Sequence, residues 1–224
     1  MKQYKLLGLL TALNIAFQLV SDVTAGKIIE LFTYPVSITV LYFPVVYIIS
    51  DIMTEVYGYA RARSVTWLTF ISSVIAGLIY LAVAYLPSPE FFEAADAYAT
   101  VFGIIPRVLI GGWVAVLVGD LLNNYVLAKM KVHTKGRHLW MRTIGSTIFG
   151  QGVNTALFYG IALSGILPTN VLIVSILSAW ILKVGVEVVL TPLTYVVIKA
   201  VKRIEGEDYY DTKTNFNPIL FKVK

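Results

Sequence analysis

Apolar residues fall into six stretches along the chain, at 6–20, 40–57, 65–86, 101–127, 143–163 and 171–198, parted by polar or proline-bearing breaks. A helix rises about 1.5 Å per residue, so such stretches suit a hydrocarbon core about 30 Å thick. The pattern predicts an all-α fold, a polytopic membrane helix bundle with six transmembrane helices. The basic opening MKQYK and the small-residue run Val23-Thr24-Ala25 mimic a secretory signal. We read the segment instead as a retained first span. On it, Asn14, Gln18 and Ser21 form a polar stripe at helical spacing, and Gly8, Ala12 and Ala16 a small-residue stripe on the opposite side. One face can then look into a bundle while the other meets a second helix closely.

The breaks refine this picture. Residues 26–39, with Gly26, Lys27, Glu30, Pro35 and then Val-Ser-Ile-Thr-Val, read as a non-helical connection with a short extended piece. Apart from Trp67 and Tyr80, the third span has only hydroxyls for polar atoms (Thr66, Thr69, Ser72, Ser73). It is therefore expected to make the most lipid or subunit contact, with a homodimer as the candidate assembly. Pro87-Ser88-Pro89 ends it, and Glu90, Glu93 and Asp96 make an acidic loop. The fourth span holds Pro106, Arg107, Gly111-Gly112 and Gly119, and at this length it can tilt or bend. Residues 129–142 form a strongly basic loop, Pro168 marks a short turn, and Pro192 lies late in the last span. Residues 1–200 form the transmembrane domain, and 201–224 a solvated tail.

Composition agrees with the pattern. The chain is 58% hydrophobic and 14% charged, with net charge +5 and a mean hydropathy of +0.77. Soluble domains are about 45–50% apolar and about 25% charged. Lysine and arginine set the orientation. Lys2, Lys5, Arg61, Arg63, Lys129, Lys131, Lys135, Arg137, Arg142 and the basic residues of the tail all fall on one side, and Lys27 alone on the other. Both termini are therefore expected in the cytoplasm, and the chain in the cytoplasmic membrane. The positive charge reads as this topology signal, without a nucleic acid partner. The chain has no cysteine, which excludes disulfides and thiolate chemistry. There is no phosphate-binding GxxxxGK[ST] motif, and both histidines sit in the basic loop. Catalysis, a metal and a cofactor are not expected.

The informative chemistry is polar groups at membrane depth, where idle ones are costly. Asp51 and Glu55 are one helical turn apart in the second span. Gln151 and Asn154 lie in the fifth, and Trp180, Lys183 and Glu187 in the sixth, each at helical spacing. With Asn14 and Gln18 of the first span, these nine residues are the candidate substrate-binding set. Amides donate and accept, carboxylates accept from N–H edges, and the indole offers a stacking face, so the lining suits a small, planar, polar solute. Phe149 is a second aromatic neighbour. Lys183 can also pair with Glu187 on its own helix or with Asp51 across the bundle, neutralising both. Arg107 reads as an interface residue, snorkelling or pairing with the acidic loop. Asp120, Asn123 and Asn124 read as capping or gating groups.

Three stretches, FPVVYIISDIMTEVYGYARAR at 43–63, RTIGSTIFGQGVNTALFYG at 142–160 and AWILKVGVEVVLTP at 179–192, resemble the queuosine precursor transporter family, also called VUT. PRVLIGGWVAVLVGDLLNN at 106–124 is a weaker match. The resemblance implies uptake of 7-cyano-7-deazaguanine or 7-aminomethyl-7-deazaguanine, salvaged to make queuosine in tRNA. It carries over to Asp51, Arg107, Gln151 and Lys183. The family pattern commonly has an aspartate before Thr155, where this chain has Asn154, which keeps the shape and loses the charge. A different reading makes the chain the substrate-binding subunit of a larger energised vitamin importer, with the Gly8/Ala12/Ala16 stripe as docking surface. Another makes it a structural membrane protein with a dry interior.

Overall fold

The computed structural model describes residues 3–220 apart from 26, 32, 33, 104, 105 and 167, so Gly26 and the basic Lys2, Lys222 and Lys224 lie outside the described residues. Helix α1 spans Leu7–Thr24. Strands β1 (Ile28–Leu31) and β2 (Tyr34–Ser37) pair antiparallel with Ile28 opposite Ser37 and Leu31 opposite Tyr34. This hairpin is the extended piece expected between the first two spans. A 3₁₀ turn, Ile38–Leu41, leads into α2, Phe43–Ile52, which Pro44 opens at a position where its missing N–H costs little. Helix α3 spans Tyr59–Tyr85, α4 Ala95–Phe102, α5 Pro106–His133, α6 Leu139–Ala162 and α7 Thr169–Glu205.

Among the described residues, four helices are long and apolar enough to cross a membrane: α1, α3, α5 from Arg107, and α7. Helix α2 is short and sits in the core cluster with Ile48, Ile49 and Ile52. Helix α6 is long, but it turns Thr143, Ser146, Thr147, Gln151, Asn154 and Thr155 into the protein. These two lie inside, while the four longer apolar helices carry much of the apolar coat along with buried polar groups of their own.

Helix α2 does not end at Ile52. It widens into one π-helical turn, Met53–Tyr57, all five residues buried. Gly58 ends the turn at φ 86° and ψ 164°, a conformation open to glycine alone. A Cβ there would also collide with the Tyr209 ring. Helices α5 and α6 form the closest pair, antiparallel, with Gly111 against Ala162 and Gly119 against Gly150. A Cβ on Gly150 would lie 2.6 Å from the Asn123 Cβ and 3.0 Å from the Gly119 carbonyl, so glycine is what lets these backbones approach.

Four expectations change. The fourth apolar stretch is two helices, α4 and α5, because Pro106 opens a helix instead of bending one. The basic loop shrinks to residues 134–138, since α5 runs to His133 and α6 starts at Leu139. The third span is not the most exposed. Thr66 and Thr69 accept bonds from Asn124 and Asn14, so its hydroxyls face inward. Only 6% of the most apolar stretch of α7 is buried, against 17% for α3. The tail, though most of it is exposed, does not hang free either. Helix α7 continues through residue 200, and the chain then folds back. Tyr209 N–H donates to the Val56 carbonyl (3.1 Å), Arg63 Nη1 to the carbonyls of Asn215 (2.9 Å) and Asn217 (2.7 Å), and Trp67 Nε1 to that of Pro218 (2.8 Å). Asp211 accepts the Tyr59 N–H on both carboxylate oxygens, 3.1 and 3.0 Å, and so caps α3 from a distant part of the chain.

Candidate functional site

The buried polar groups gather where α2, α5, α6 and α7 meet. Asp51 accepts one bond from Asn123 Nδ2, 3.0 Å. Its neighbour Asn124 ties three elements together. It accepts from Ser50 (3.0 Å) and Thr54 (2.9 Å) of the second span and donates to Thr66 of α3 (3.1 Å). On α6, the Gln151 carbonyl accepts from the Tyr47 hydroxyl (3.0 Å) and from Lys183 Nζ (3.3 Å). Lys183 also donates to Asn154 Oδ1 (2.9 Å) and Thr155 Oγ1 (3.2 Å). Its three ammonium donors are thus spent on helix α6, and it forms no ion pair with Glu187 or Asp51. Asp120 and Glu187 stand close enough to Asp51 and Tyr47 for their charges to interact.

What this network leaves unmet is informative. Asp51 Oδ2, Asn123 Oδ1 and Glu187 Oε1 are buried acceptors without a hydrogen bond. Each such group costs about 1–3 kcal/mol. Gln151 presents the complement. Both its bonds are accepted at the carbonyl, so its two amide N–H donors remain open. The site therefore offers acceptors on α2, α5 and α7 and donors on α6.

The model of a family described as "Putative vitamin uptake transporter" matches residues 37–197, which includes every one of these groups. The chain belongs to that family. The protein is a multi-pass membrane transporter, not an enzyme. It is 27% identical over 180 residues to a Bacillus subtilis (strain 168) protein named "Probable queuosine precursor transporter", covering 80% of this chain and 79% of that one. It is 23% identical over 120 residues to the "Queuosine precursor transporter" of Escherichia coli (strain K12), 54% of this chain and 52% of the relative. A Haemophilus influenzae relative named as in B. subtilis is 22% identical over 149 residues, covering 66% and 61%. No solved structure matches the chain.

Not every candidate residue of the transporter joins the group. Asp51, Gln151, Asn154, Lys183 and Glu187 come together. Glu55, one turn below Asp51, belongs to a separate ion cluster: its Oε1 meets Arg142 Nη2 at 2.8 Å, Lys202 Nζ at 2.7 Å and Lys131 Nζ at 3.6 Å. Arg142 and Lys131, expected in a solvated basic loop, are both buried. Trp180 donates its indole N–H to the Ile148 carbonyl (2.9 Å) and lies against Gly152, half-exposed. Phe149 is 59% exposed and points away from the site. Asn14 and Gln18 bond to Thr69 and Asp22 and to no member of the Asp51 group. Arg107 neither snorkels free nor meets the acidic loop. It donates to the carbonyls of Ile161 and Ser164, closing the end of α6. The sequence reading passed over Tyr47, although it sits four residues before Asp51 on the same helix face.

Proposed function

We propose that the chain imports queuosine precursors, the 7-deazaguanine bases, across the cytoplasmic membrane as a six-span carrier with both termini inside. In this reading α2 with its π turn and α6 are the two further spans. Helix α2 is short by itself, and α6 turns a polar face inward, which fits their enclosure by the others. The ends of the chain meet at one end of the bundle, where Lys5 N–H and Leu6 N–H donate to the Glu205 carboxylate at 3.0 and 2.6 Å. An even number of crossings supplies that arrangement, and the lysines and arginines around it favour the cytoplasm.

The observation that carries the substrate is the unmet set Asp51 Oδ2, Asn123 Oδ1 and Glu187 Oε1, together with the open amide of Gln151. A deazaguanine offers N1–H and the 2-amino group side by side, a donor pair for a carboxylate, and O6 as an acceptor for Gln151. We assign the donor edge to Asp51. Glu55 is held by three cations and is left with a structural part. We assign the 7-substituent to Glu187, an assignment that favours the cationic aminomethyl base over the neutral cyano one.

The test is the thermal stability of the purified protein with each of the two bases, guanine and a panel of vitamins. A ligand of the folded state stabilises by about 2.7 kcal/mol at a hundredfold excess over Kd. A shift with deazaguanines that Asp51→Asn removes is the expected result. A shift with another vitamin alone, or an unaltered response in Asp51→Asn, rejects the assignment.

A further inference from the structure

A side-chain amide has a carbonyl acceptor at one end and two N–H donors at the other, and turning it over exchanges them. A glutamine free to turn would therefore meet a 6-oxo and a 6-amino base equally well. Gln151 is not free to turn. Lys183 Nζ lies 3.3 Å from its Oε1, and an ammonium only donates, so the carbonyl is the end held toward Lys183. With that orientation fixed, the Tyr47 hydroxyl, 3.0 Å from the same oxygen, donates as well.

The same ammonium fixes a second amide. Asn154 follows Gln151 by three residues and shares its face of α6, and its Oδ1 accepts from Lys183 Nζ at 2.9 Å. The remaining donor goes to Thr155 Oγ1 at 3.2 Å. Lys183 thus has no hydrogen left for a solute. Its bonds keep both carbonyls toward itself and both amide nitrogens away. Neither nitrogen donates to a group among the described residues. Both residues are enclosed, Gln151 2% and Asn154 7% exposed. Turning Gln151 over would set its N–H groups against an ammonium and a hydroxyl hydrogen.

We infer that Lys183 and Tyr47 are positioning residues that hold Gln151 as a donor and so restrict the transporter to bases with an acceptor at position 6. This rests on the assignment of O6 to Gln151. Lys183 then shapes selectivity without touching the base. A 6-amino base would bring N–H groups against the pinned amide and leave buried donors unpaired, a loss of about 10- to 100-fold in affinity.

The experiment is titration calorimetry of the purified full-length protein with 7-deazaguanine and with 2,6-diamino-7-deazapurine. The two bases share the 2-amino group and differ at position 6 and in the N1 proton that goes with it. Asp51 is intact in every variant, so a change in the ratio of the two Kd values reports Gln151. Wild type should favour 7-deazaguanine strongly. Lys183→Met releases the amide and should narrow the ratio by about tenfold. Tyr47→Phe removes one hydroxyl and keeps the ring; it should narrow the ratio by less, and it reports even where Lys183→Met fails to fold. Loss of a charge or of packing alone weakens both bases by one factor and leaves the ratio as it was. An unchanged ratio in either variant therefore overturns the inference. A wild type that binds neither base rejects the deazaguanine reading itself, and this role with it.

Discussion

At the scale of single residues, two carboxylates one turn apart on one helix face have opposite circumstances. Asp51 keeps an open oxygen, while Glu55 is held by Arg142, Lys202 and Lys131. Charge-assisted hydrogen bonds are worth about 1.5–3 kcal/mol, so Asp51→Asn should weaken binding of both deazaguanines by about 10- to 100-fold, read by titration calorimetry. Glu187→Gln should cost the aminomethyl base more than the cyano base in the same assay. Equal losses would remove Glu187 from the 7-substituent. Glu55 predicts stability instead. Removing one partner of a buried ion pair costs about 3–5 kcal/mol. Arg142→Met should fall at the low end, because two cations remain. Glu55→Gln should fall at the high end, because it leaves three cations together. Denaturant unfolding measures both. The sequence showed that Asp51 and Glu55 share a face and that polar groups line four spans. It could not separate the two carboxylates, because the partners of Glu55 lie 87 and 147 residues away. No periodicity carries information over such distances. Tyr47 was legible in principle, four residues before Asp51, but it resembles an ordinary interface residue until its neighbours are known.

At the scale of elements, the site depends on how closely α5 approaches α6. Asn123 reaches Asp51 from the turn of α5 that rests on Gly150. Gly150→Ala places a methyl against the Asn123 Cβ and the Gly119 carbonyl, and overpacking of this kind costs about 1–3 kcal/mol. The variant should therefore melt lower and bind the base more weakly, although it touches no substrate group. Gly160→Ala, where a Cβ meets nothing within 4 Å, is the matched control and should do neither. Hydropathy found every long helix because burial in lipid demands an apolar coat. It misplaced the boundaries where one residue type serves two ends. Pro106 suits a helix start as well as a kink, and the basic run after α5 suits a helix end as well as a loop. The inward turn of the α3 hydroxyls was also hidden, since threonine and serine tolerate either environment.

At the scale of the whole molecule, the last described residues close one end of the bundle. Asp208 receives Lys131 and Lys202, Asp211 caps α3, and Phe216 packs on Tyr59 and Tyr125. Partial burial works to raise the Asp208 carboxyl, but the hydrogen bonds from Lys131 and Lys202 outweigh it and hold the group below its ordinary value of 3.8. A lowered carboxyl contributes stability above that ordinary value and loses it as pH falls through the lower, folded one. The closure should therefore loosen only in acid below about pH 3.8, seen as faster amide exchange at Tyr59 and Tyr209, and Asp208→Asn should abolish that dependence. Asp211→Ala removes the cap of α3 and should cost about 1 kcal/mol. The fold-back also bears on how the chain is made. Tyr59 and Arg63 at the start of α3 leave the ribosome early, yet their hydrogen-bond partners are translated about 150 residues later. Glu55 likewise waits for Lys202. A nascent chain stalled before its final segment would hold all its apolar helices and still have an open seam, so insertion can finish before folding does, and a quality-control protease that reads that seam would distinguish complete from truncated copies.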